Sequence, residues 1–176
     1  MGKFIHYYTT DDGWEFVSRK VNPYLNGNKK DDAVVIVPIR KFGDKTYLVI
    51  TKEWRNPIGE YVYGFPSGLI DEGEDAGQAA IRELKEETGL DVNDILHVTP
   101  SLWSSEGLTD EKVVVVYVLV TGNISYNNQS TNEEIEAYEI DSEFASILLN
   151  NFKSSGKIAY FVLNDFANNN FNWLGV

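Results

Sequence analysis

The chain has 176 residues, a formal net charge of −12, 43% hydrophobic and 13% aromatic residues, and no cysteine. This length fits one domain, and the hydrophobic content is sufficient for a core of its own. The negative charge argues against a basic surface for long nucleic acid or anionic membrane, and the absence of cysteine excludes disulfides and thiolate catalysis.

The N-terminal stretch MGKFIHYYTTDDGW has no apolar run long enough for a signal peptide. No part of the sequence reaches the about 18 consecutive apolar residues of a transmembrane helix. We therefore expect a cytoplasmic protein with no membrane and no nucleic acid polymer as partner. A small phosphorylated ligand remains compatible with the charge, because a bound cation could neutralise it.

The first half of the chain alternates strand-like runs with turn signals. The segments FIHYY and WEFVSRKV flank an Asp-Gly turn, which predicts a β-hairpin within residues 1–30. The next predicted strands are AVVIVPIR (33–40), TYLVITKEW (46–54) and YVYGFP (61–66), the last of which ends in a Pro-Ser-Gly turn. A helix is predicted from about Asp75 to Thr88, because Gly89 is placed as a C-terminal stop.

The second half begins with strands and ends with helices. We predict strands in ILHVTPSLWSS and KVVVVYVLVTG (112–122), a polar loop SYNNQSTNEE, and the short extended segment IEAYEID. Apolar residues at helical spacing predict helices in SEFASILLNNF (142–152) and KIAYFVLNDFANN (157–169). The order indicates a single α+β domain over residues 1–176, with a mixed β-sheet between α-helices and residues 1–30 as an N-terminal β extension.

The central helix carries three carboxylates, Glu83, Glu86 and Glu87, three and four residues apart. Like charges at this spacing repel by only about 0.2–0.5 kcal/mol per pair on an exposed helix, so a solvated acidic face is one interpretation. The neighbouring arc, which the pattern predicts to face the core, contains Gly77, Ala80, Ile81 and Leu84. The carboxylates are then expected to flank the buried edge.

The residues around this helix follow the pattern Gly-x5-Glu-x7-Arg-Glu-Leu-x-Glu-Glu-x-Gly-Leu from Gly68 to Leu90. Ordinary residue usage produces such a match on the order of once per billion start positions, so chance does not explain it. The segment resembles the signature of the Nudix hydrolase family at every defined position. The resemblance implies the Nudix fold, with the signature forming a loop, a helix and a loop.

The resemblance gives the crowded carboxylates a purpose. In the family the helix carboxylates hold divalent cations, Mg²⁺ or Mn²⁺, which prefer oxygen ligands. It implies Glu83 and Glu87 as direct metal ligands, with Glu86 as a third ligand or a water-mediated contact and the Ser67 carbonyl as a further oxygen. It also implies that Arg82 and Glu74 orient the carboxylates, while Gly68 and Gly89 permit tight backbone turns.

Three further segments resemble the ADP-ribose pyrophosphatase branch of the family. They are Glu53-Trp54-Arg55, Phe65-Pro66-Ser67-Gly68 and Ser105-Glu106-Gly107-Leu108-Thr109-Asp110-Glu111. In the last segment Glu106 replaces the proline of that branch. The resemblance implies substrate-binding roles for Trp54, Arg55, Gly68, Glu106 and Thr109. A surface arginine is an equal alternative for Arg55, and packing in the core or an interface is the favoured interpretation for Trp54, Trp14 and Trp103.

The family reaction is an attack of water on a diphosphate linked to a nucleoside and to another group. The general base of the branch comes from an acidic loop, which implies Glu133 or Glu134 here, with Glu86 in reserve. We expect metal-dependent hydrolysis of ADP-ribose or a related nucleoside diphosphate sugar to a nucleoside monophosphate and a sugar phosphate.

Two alternatives to this reaction remain open. One is hydrolysis of a nucleoside triphosphate or a dinucleotide, and the other is a module that senses a nucleotide without cleaving it. The branch also implies a homodimer in which the N-terminal strands take part.

Overall fold

The computed structural model describes residues 5–23, 30–126, 135–151 and 156–175. Within these ranges the α+β prediction is confirmed, since strands occupy most of the first part and two helices follow the last strand. The strands are β1 (His6–Thr9), β2 (Glu15–Ser18), β3 (Ala33–Phe42), β4 (Lys45–Arg55), β5 (Glu60–Gly64), β6 (Ser67–Leu69), β7 (Asp91–Val98), β8 (Leu102–Trp103), β9 (Lys112–Thr121) and β10 (Ile135–Ile140). The helices are α1 (Ala76–Thr88), α2 (Ser142–Asn151) and α3 (Gly156–Asn169), and a short 3-10 helix spans Asn172–Leu174.

The main sheet is mixed, as predicted. Its central order is β10-β4-β3-β9-β7, while β5, β6 and β8 pair with β4, β3 and β9 respectively. Strands β3 and β9 run parallel, and the other pairs of this sheet run antiparallel. Strands β1 and β2 form a separate antiparallel hairpin, which confirms the Asp-Gly turn signal.

The sheet is covered by helices on both faces because its central strands are apolar on both faces. Successive side chains of a strand point to opposite faces, so Val34 and Ile36 of β3 join the core that contains Ala80 and Leu84 of α1. On the other face, Val37 and Ile39 join the core that contains the buried residues Ala145 and Leu148 of α2 and Ala159, Val162, Leu163 and Phe166 of α3. We refer to these as the α1 face and the α2–α3 face.

The predicted Pro-Ser-Gly turn is wrong in one respect. Residues Ser67–Leu69 form a strand, β6, which pairs antiparallel with the first residues of β3. The local turn preference of Ser and Gly is overridden here by pairing with a strand far away in sequence. This pairing places Gly68, the first residue of the signature, in the sheet rather than in a loop.

The burial of α1 also differs from the prediction. Ile81 is 46% exposed, whereas Ala79, Ala80, Leu84 and Thr88 are fully buried. At about 100° per residue the arc from Ala79 to Thr88 leaves Ile81 just outside. The same arc includes the directions of Glu83 and Glu87, so these carboxylates point into the protein rather than flank its buried edge.

The N-terminal hairpin packs against the loop formed by residues 104–111, here called the 104–111 loop. The Val17 amide donates to the Leu108 carbonyl at 2.8 Å. The Arg19 guanidinium lies 2.9 Å from a Glu111 carboxylate oxygen, and the Lys20 ammonium lies 3.2 Å from both Asp32 and Asp110. The predicted homodimer stays a prediction.

None of the helices in the part of the chain that the structure describes is long and apolar enough to cross a lipid bilayer.

The C-terminus of α1 generates a stability prediction. Gly89 has φ 75°, and a Cβ at this residue would lie 2.6 Å from the Ser125 carbonyl oxygen. Gly43 has φ 59° but open space around its Cα. A left-handed conformation costs a non-glycine residue about 1–2 kcal/mol, so Gly43→Ala is expected to lose about this much in the free energy of unfolding.

Gly89→Ala is expected to lose clearly more, because its backbone contact must also move. Urea unfolding of both variants and the parent checks the difference. Equal losses would show that the Ser125 contact is not a constraint.

Candidate active site

The acidic helix begins and ends at well-formed caps. The Asp75 side chain accepts a hydrogen bond from the Gln78 amide at 2.8 Å, and the Gln78 side chain accepts one from the Asp75 amide at 3.0 Å. At the other end, the Gly89 amide donates to the Lys85 carbonyl at 3.0 Å. This reciprocal capping box and the left-handed glycine fix the register of α1, and the register fixes where its carboxylates lie.

Glu83 lies directly against the backbone of β6. A Cβ built on Gly68 would lie 1.9 Å from the Glu83 carboxyl carbon, so any side chain at this residue would occupy the place of the carboxylate. Gly68 has no positive φ, unlike Gly89. Glycine is therefore required here because the Glu83 carboxylate lies against the backbone, and not because the backbone makes the expected tight turn.

Glu87 reaches the residue next to Gly68. The Ser67 amide donates a hydrogen bond to a Glu87 carboxylate oxygen at 3.3 Å. Two of the three predicted carboxylates thus converge on two consecutive residues of β6. The third, Glu86, has a side chain that is 51% exposed, compared with 15% for Glu83.

Arg82 holds this arrangement through several hydrogen bonds at once. Its Nε and Nη2 donate to the two carboxylate oxygens of Glu74 at 2.9 and 2.8 Å, its Nη2 also donates to the Leu69 carbonyl at 3.0 Å, and its Nη1 donates to Glu83 at 2.7 Å. Glu86 is more distant, at 3.7 Å. The orienting role predicted for Arg82 and Glu74 fits this geometry, since a planar guanidinium matches a carboxylate with two parallel bonds.

The same contacts shift the ionisation of both partners. The hydrogen bonds from Arg82 lower the pKa of Glu74 to about 2, helped by the Asp71 amide, which donates to Glu74 at 3.1 Å. The hydrogen bond to Glu74 raises the pKa of Arg82, and the contact with Glu83 adds to it. Both groups therefore stay charged at neutral pH.

The predicted metal ligands fit a divalent cation by their chemistry. Glu83, Glu86, Glu87 and Ser67 offer only oxygen atoms, the donors that Mg²⁺ and Mn²⁺ prefer, and the space that Gly68 leaves open admits a carboxylate against the strand. Within the described residues, no three His, Cys, Asp or Glu side chains lie close enough together to form a metal centre. Glu83 and Glu87 would thus be the main ligands of a cation, because the Glu86 side chain is half exposed.

Trp54 and Arg55, two of the predicted substrate-binding residues, lie at the end of β4. The Arg55 guanidinium is ion-paired with Glu53 and its side chain is 45% exposed. The Trp54 indole donates to the Asn56 side chain at 2.9 Å and packs edge-on against Tyr61. These contacts are local to the β4–β5 hairpin, and the predicted contact of Arg55 with a diphosphate stays a prediction.

Glu106 and Thr109 lie in the 104–111 loop and line a second feature, a cavity of about 320 Å³ between that loop and the N-terminal hairpin. We call it the hairpin cavity. Trp14 borders it and donates from its indole to the Gly107 carbonyl at 3.2 Å. The structure therefore places these two residues beside the N-terminal hairpin, and their predicted substrate-binding role stays a prediction. The remaining lining residues are Thr10, Phe16, Trp103 and Asp110.

A smaller cavity of about 230 Å³ lies beside β6 and is called the β6 cavity. Apart from Ser67, no local pattern in the sequence points to this cavity, because its walls come from five separate segments between residues 35 and 159. They are Val35, Phe65, Ser67, Trp103, Ser104, Val113 and the α3 residues Gly156, Lys157, Ile158 and Ala159.

Glu133 and Glu134, the predicted general bases, lie outside the described residues. Strand β10 begins at Ile135, opposite Glu53 of β4. Their role stays a prediction.

The sequence is similar to known proteins over most of its length. A family model described as the NUDIX domain matches residues 29–154. The chain is 35% identical over 147 residues to a Caenorhabditis elegans protein provisionally named nudix hydrolase 2, covering 81% of this chain and 65% of the relative.

Two further relatives carry more specific names. The chain is 33% identical over 100 residues to the ADP-sugar pyrophosphatase of Mus musculus, covering 56% of this chain and 45% of the relative. It is 32% identical over 117 residues to the ADP-ribose pyrophosphatase of Saccharomyces cerevisiae, covering 62% and 50%. The chain thus spans about half to two thirds of the length of these relatives. Since the family model covers well over half of the sequence, the chain belongs to the Nudix hydrolase family.

Proposed function

We propose that the protein hydrolyses the diphosphate bond of ADP-ribose or a related nucleoside diphosphate sugar with the help of a divalent cation. The observation that carries this proposal is the convergence of Glu83 and Glu87 on Ser67 and Gly68, with Arg82 and Glu74 behind them. The names of the mouse and yeast relatives support the substrate class.

In this reaction, water attacks one phosphorus, the bond from that phosphorus to the bridging oxygen breaks, and a nucleoside monophosphate and a sugar phosphate leave. When bound, a divalent cation would stabilise negative charge on the attacking and leaving oxygens. Glu83 and Glu87 would hold the cation, with Glu86 and the Ser67 carbonyl as additional oxygens. Arg82 keeps the Glu83 carboxylate turned towards β6 and prevents it from rotating into solvent.

The proton of the attacking water goes to a carboxylate. Glu133 or Glu134 is proposed for this role, and Glu86 is the reserve because its side chain is half exposed and belongs to the same helix. The hairpin cavity supports a nucleoside site, since Trp14 and Trp103 are each more than half exposed there and present aromatic faces beside Glu106 and Thr109.

The reaction itself is tested with a substrate panel in the presence of Mg²⁺, followed by phosphorus NMR. We expect ADP-ribose to give AMP and ribose 5-phosphate, with no reaction after chelation of the metal. A panel in which only a nucleoside triphosphate or a dinucleotide turns over would replace the substrate class. Binding of ADP-ribose with no turnover under any metal would instead indicate a sensor.

Glu87→Gln tests the site assignment. The substitution keeps the side chain's size but removes a charged oxygen ligand, so turnover is expected to fall by roughly two orders of magnitude or more, the range of losses seen for groups that stabilise transition-state charge. Circular dichroism should be unchanged. Glu143→Gln, at an exposed residue in the first turn of α2, is the matched control and should keep the parent rate. A near-parent rate in Glu87→Gln would contradict the assignment.

The Arg82–Glu74 contact predicts a pH dependence of stability. The pKa of Glu74 is lowered from 4.5 to about 2 in the folded protein, so the ionised carboxylate stabilises the fold. This contribution is complete above pH 4.5 and is lost as the pH falls towards 2. The stability difference between the parent and Glu74→Gln should therefore shrink over this range.

Urea unfolding at pH 7, 4 and 3 measures this difference, with Glu72→Gln in the same loop as the control that changes little at any of these values. If the difference in the free energy of unfolding between the parent and Glu74→Gln does not change with pH, the pKa of Glu74 is not lowered in the folded protein.

A further inference from the structure

The β6 cavity and the carboxylate pair share one residue. Side chains alternate along a strand, and Gly68 faces α1, where Glu83 lies against it. Ser67 therefore faces the α2–α3 side, where it lines the β6 cavity. Its amide meanwhile holds Glu87. A group bound in this cavity would thus contact Ser67, the residue whose amide holds the proposed metal ligand Glu87.

The lining combines the chemistry that sugars require. Ser67 brings a hydroxyl, and Ser104 brings a hydroxyl that donates to Glu111 at 2.8 Å and can still accept a hydrogen bond. Val35 and Phe65 bring apolar surface, and Trp103 brings a half-exposed indole. Hydroxyls pair with sugar hydroxyls, while the apolar and aromatic surfaces accept the C–H faces of a sugar ring. The volume of about 230 Å³ lies below the roughly 300–1,000 Å³ typical of sites for larger ligands, which suits one ring rather than a nucleoside.

Lys157 adds a positive charge to this lining, from the first turn of α3. Its side chain is exposed, and among the described residues no carboxylate lies within ion-pair distance of its ammonium. In a chain with a net charge of −12, a lysine without such a neutralising carboxylate beside a cavity is suited to an anionic ligand.

The two cavities are also connected through one residue. Trp103 lines both the β6 cavity and the hairpin cavity. A ligand with a nucleoside at one end and a sugar at the other could therefore place its two ends on the two sides of this indole, with Ser67 nearby.

We infer that the β6 cavity binds the sugar of a nucleoside diphosphate sugar, and that Lys157 selects for it by pairing with the phosphate on the sugar side. This inference rests on the proposed function, since it assigns the half of the substrate that leaves as a sugar phosphate. Lys157 is thereby a specificity-determining residue, and its removal should affect binding of that half alone.

The test compares Lys157→Met with Lys45→Met, an exposed lysine at the far end of the β3–β4 hairpin. Isothermal titration calorimetry of the full chain with Mg²⁺ measures the affinities for ribose 5-phosphate and for AMP. In Lys157→Met we expect a roughly tenfold or greater loss of affinity for ribose 5-phosphate, the size of the contribution of one hydrogen bond to a charged group. The affinity for AMP should be unchanged, as should both affinities in Lys45→Met. Lys157→Arg, which keeps the charge, should retain most of the ribose 5-phosphate affinity.

Three results would overturn the inference: no binding of ribose 5-phosphate by the parent, equal affinity in Lys157→Met, or an equal loss for AMP. Steady-state kinetics separate it from the proposed function. If ADP-ribose is hydrolysed with the same KM by the parent and Lys157→Met, the inference fails while the proposed reaction stands. If ADP-ribose is not hydrolysed but ribose 5-phosphate binding depends on Lys157, the sugar site stands and the reaction needs another substrate.

Discussion

The contact between a helix carboxylate and a strand without a side chain is the constraint on which the site depends. Because Gly68 has no Cβ, Glu83 approaches the β6 backbone more closely than it could if any other residue occupied position 68. This approach draws α1 against the sheet at the point where Glu87 meets the Ser67 amide. The capping box at Asp75 and the left-handed Gly89 then set the rotation of the helix, so that the carboxylates and the strand meet in register.

The Arg82 guanidinium is a single positive charge among several carboxylates. Arg82 contacts Glu74, Glu83 and, at a longer distance, Glu86, while it also donates to the backbone of β6. It does not neutralise the cluster, and this leaves negative charge that a divalent ion can satisfy. Arg82 therefore orients the carboxylates but does not replace the positive charge of a metal ion.

The signature was sufficient to predict the fold and the helix with its stop at Gly89. It also named Glu74, Arg82, Glu83 and Glu87, which the fold brings together beside β6. Patterns of local spacing carry this information, because the helix period and the cap residues act within a few positions. Contacts between distant segments do not appear in such patterns. The sequence therefore treated Ser67 and Gly68 as a turn, placed Ile81 in the core, and offered no reason to connect Lys157 with Ser67. The pairing of β6 with β3 decides the first of these, the rotation of α1 against the sheet decides the second, and the position of α3 beside β6 decides the third.

The N-terminal hairpin is attached in part by charged side chains, so its attachment depends on ionic strength. Arg19 and Lys20 join the hairpin to the body through ion pairs whose side chains are partly in solvent. Dissolved ions weaken such pairs only in part, because the paired atoms lie 2.9 to 3.2 Å apart and the Debye length is about 10 Å at 0.1 M salt. The apolar contacts of the main sheet are not weakened in this way. Rising ionic strength should therefore loosen the hairpin before it affects the main sheet, while the hydrogen bonds from Val17 to Leu108 and from Trp14 to Gly107 continue to hold it.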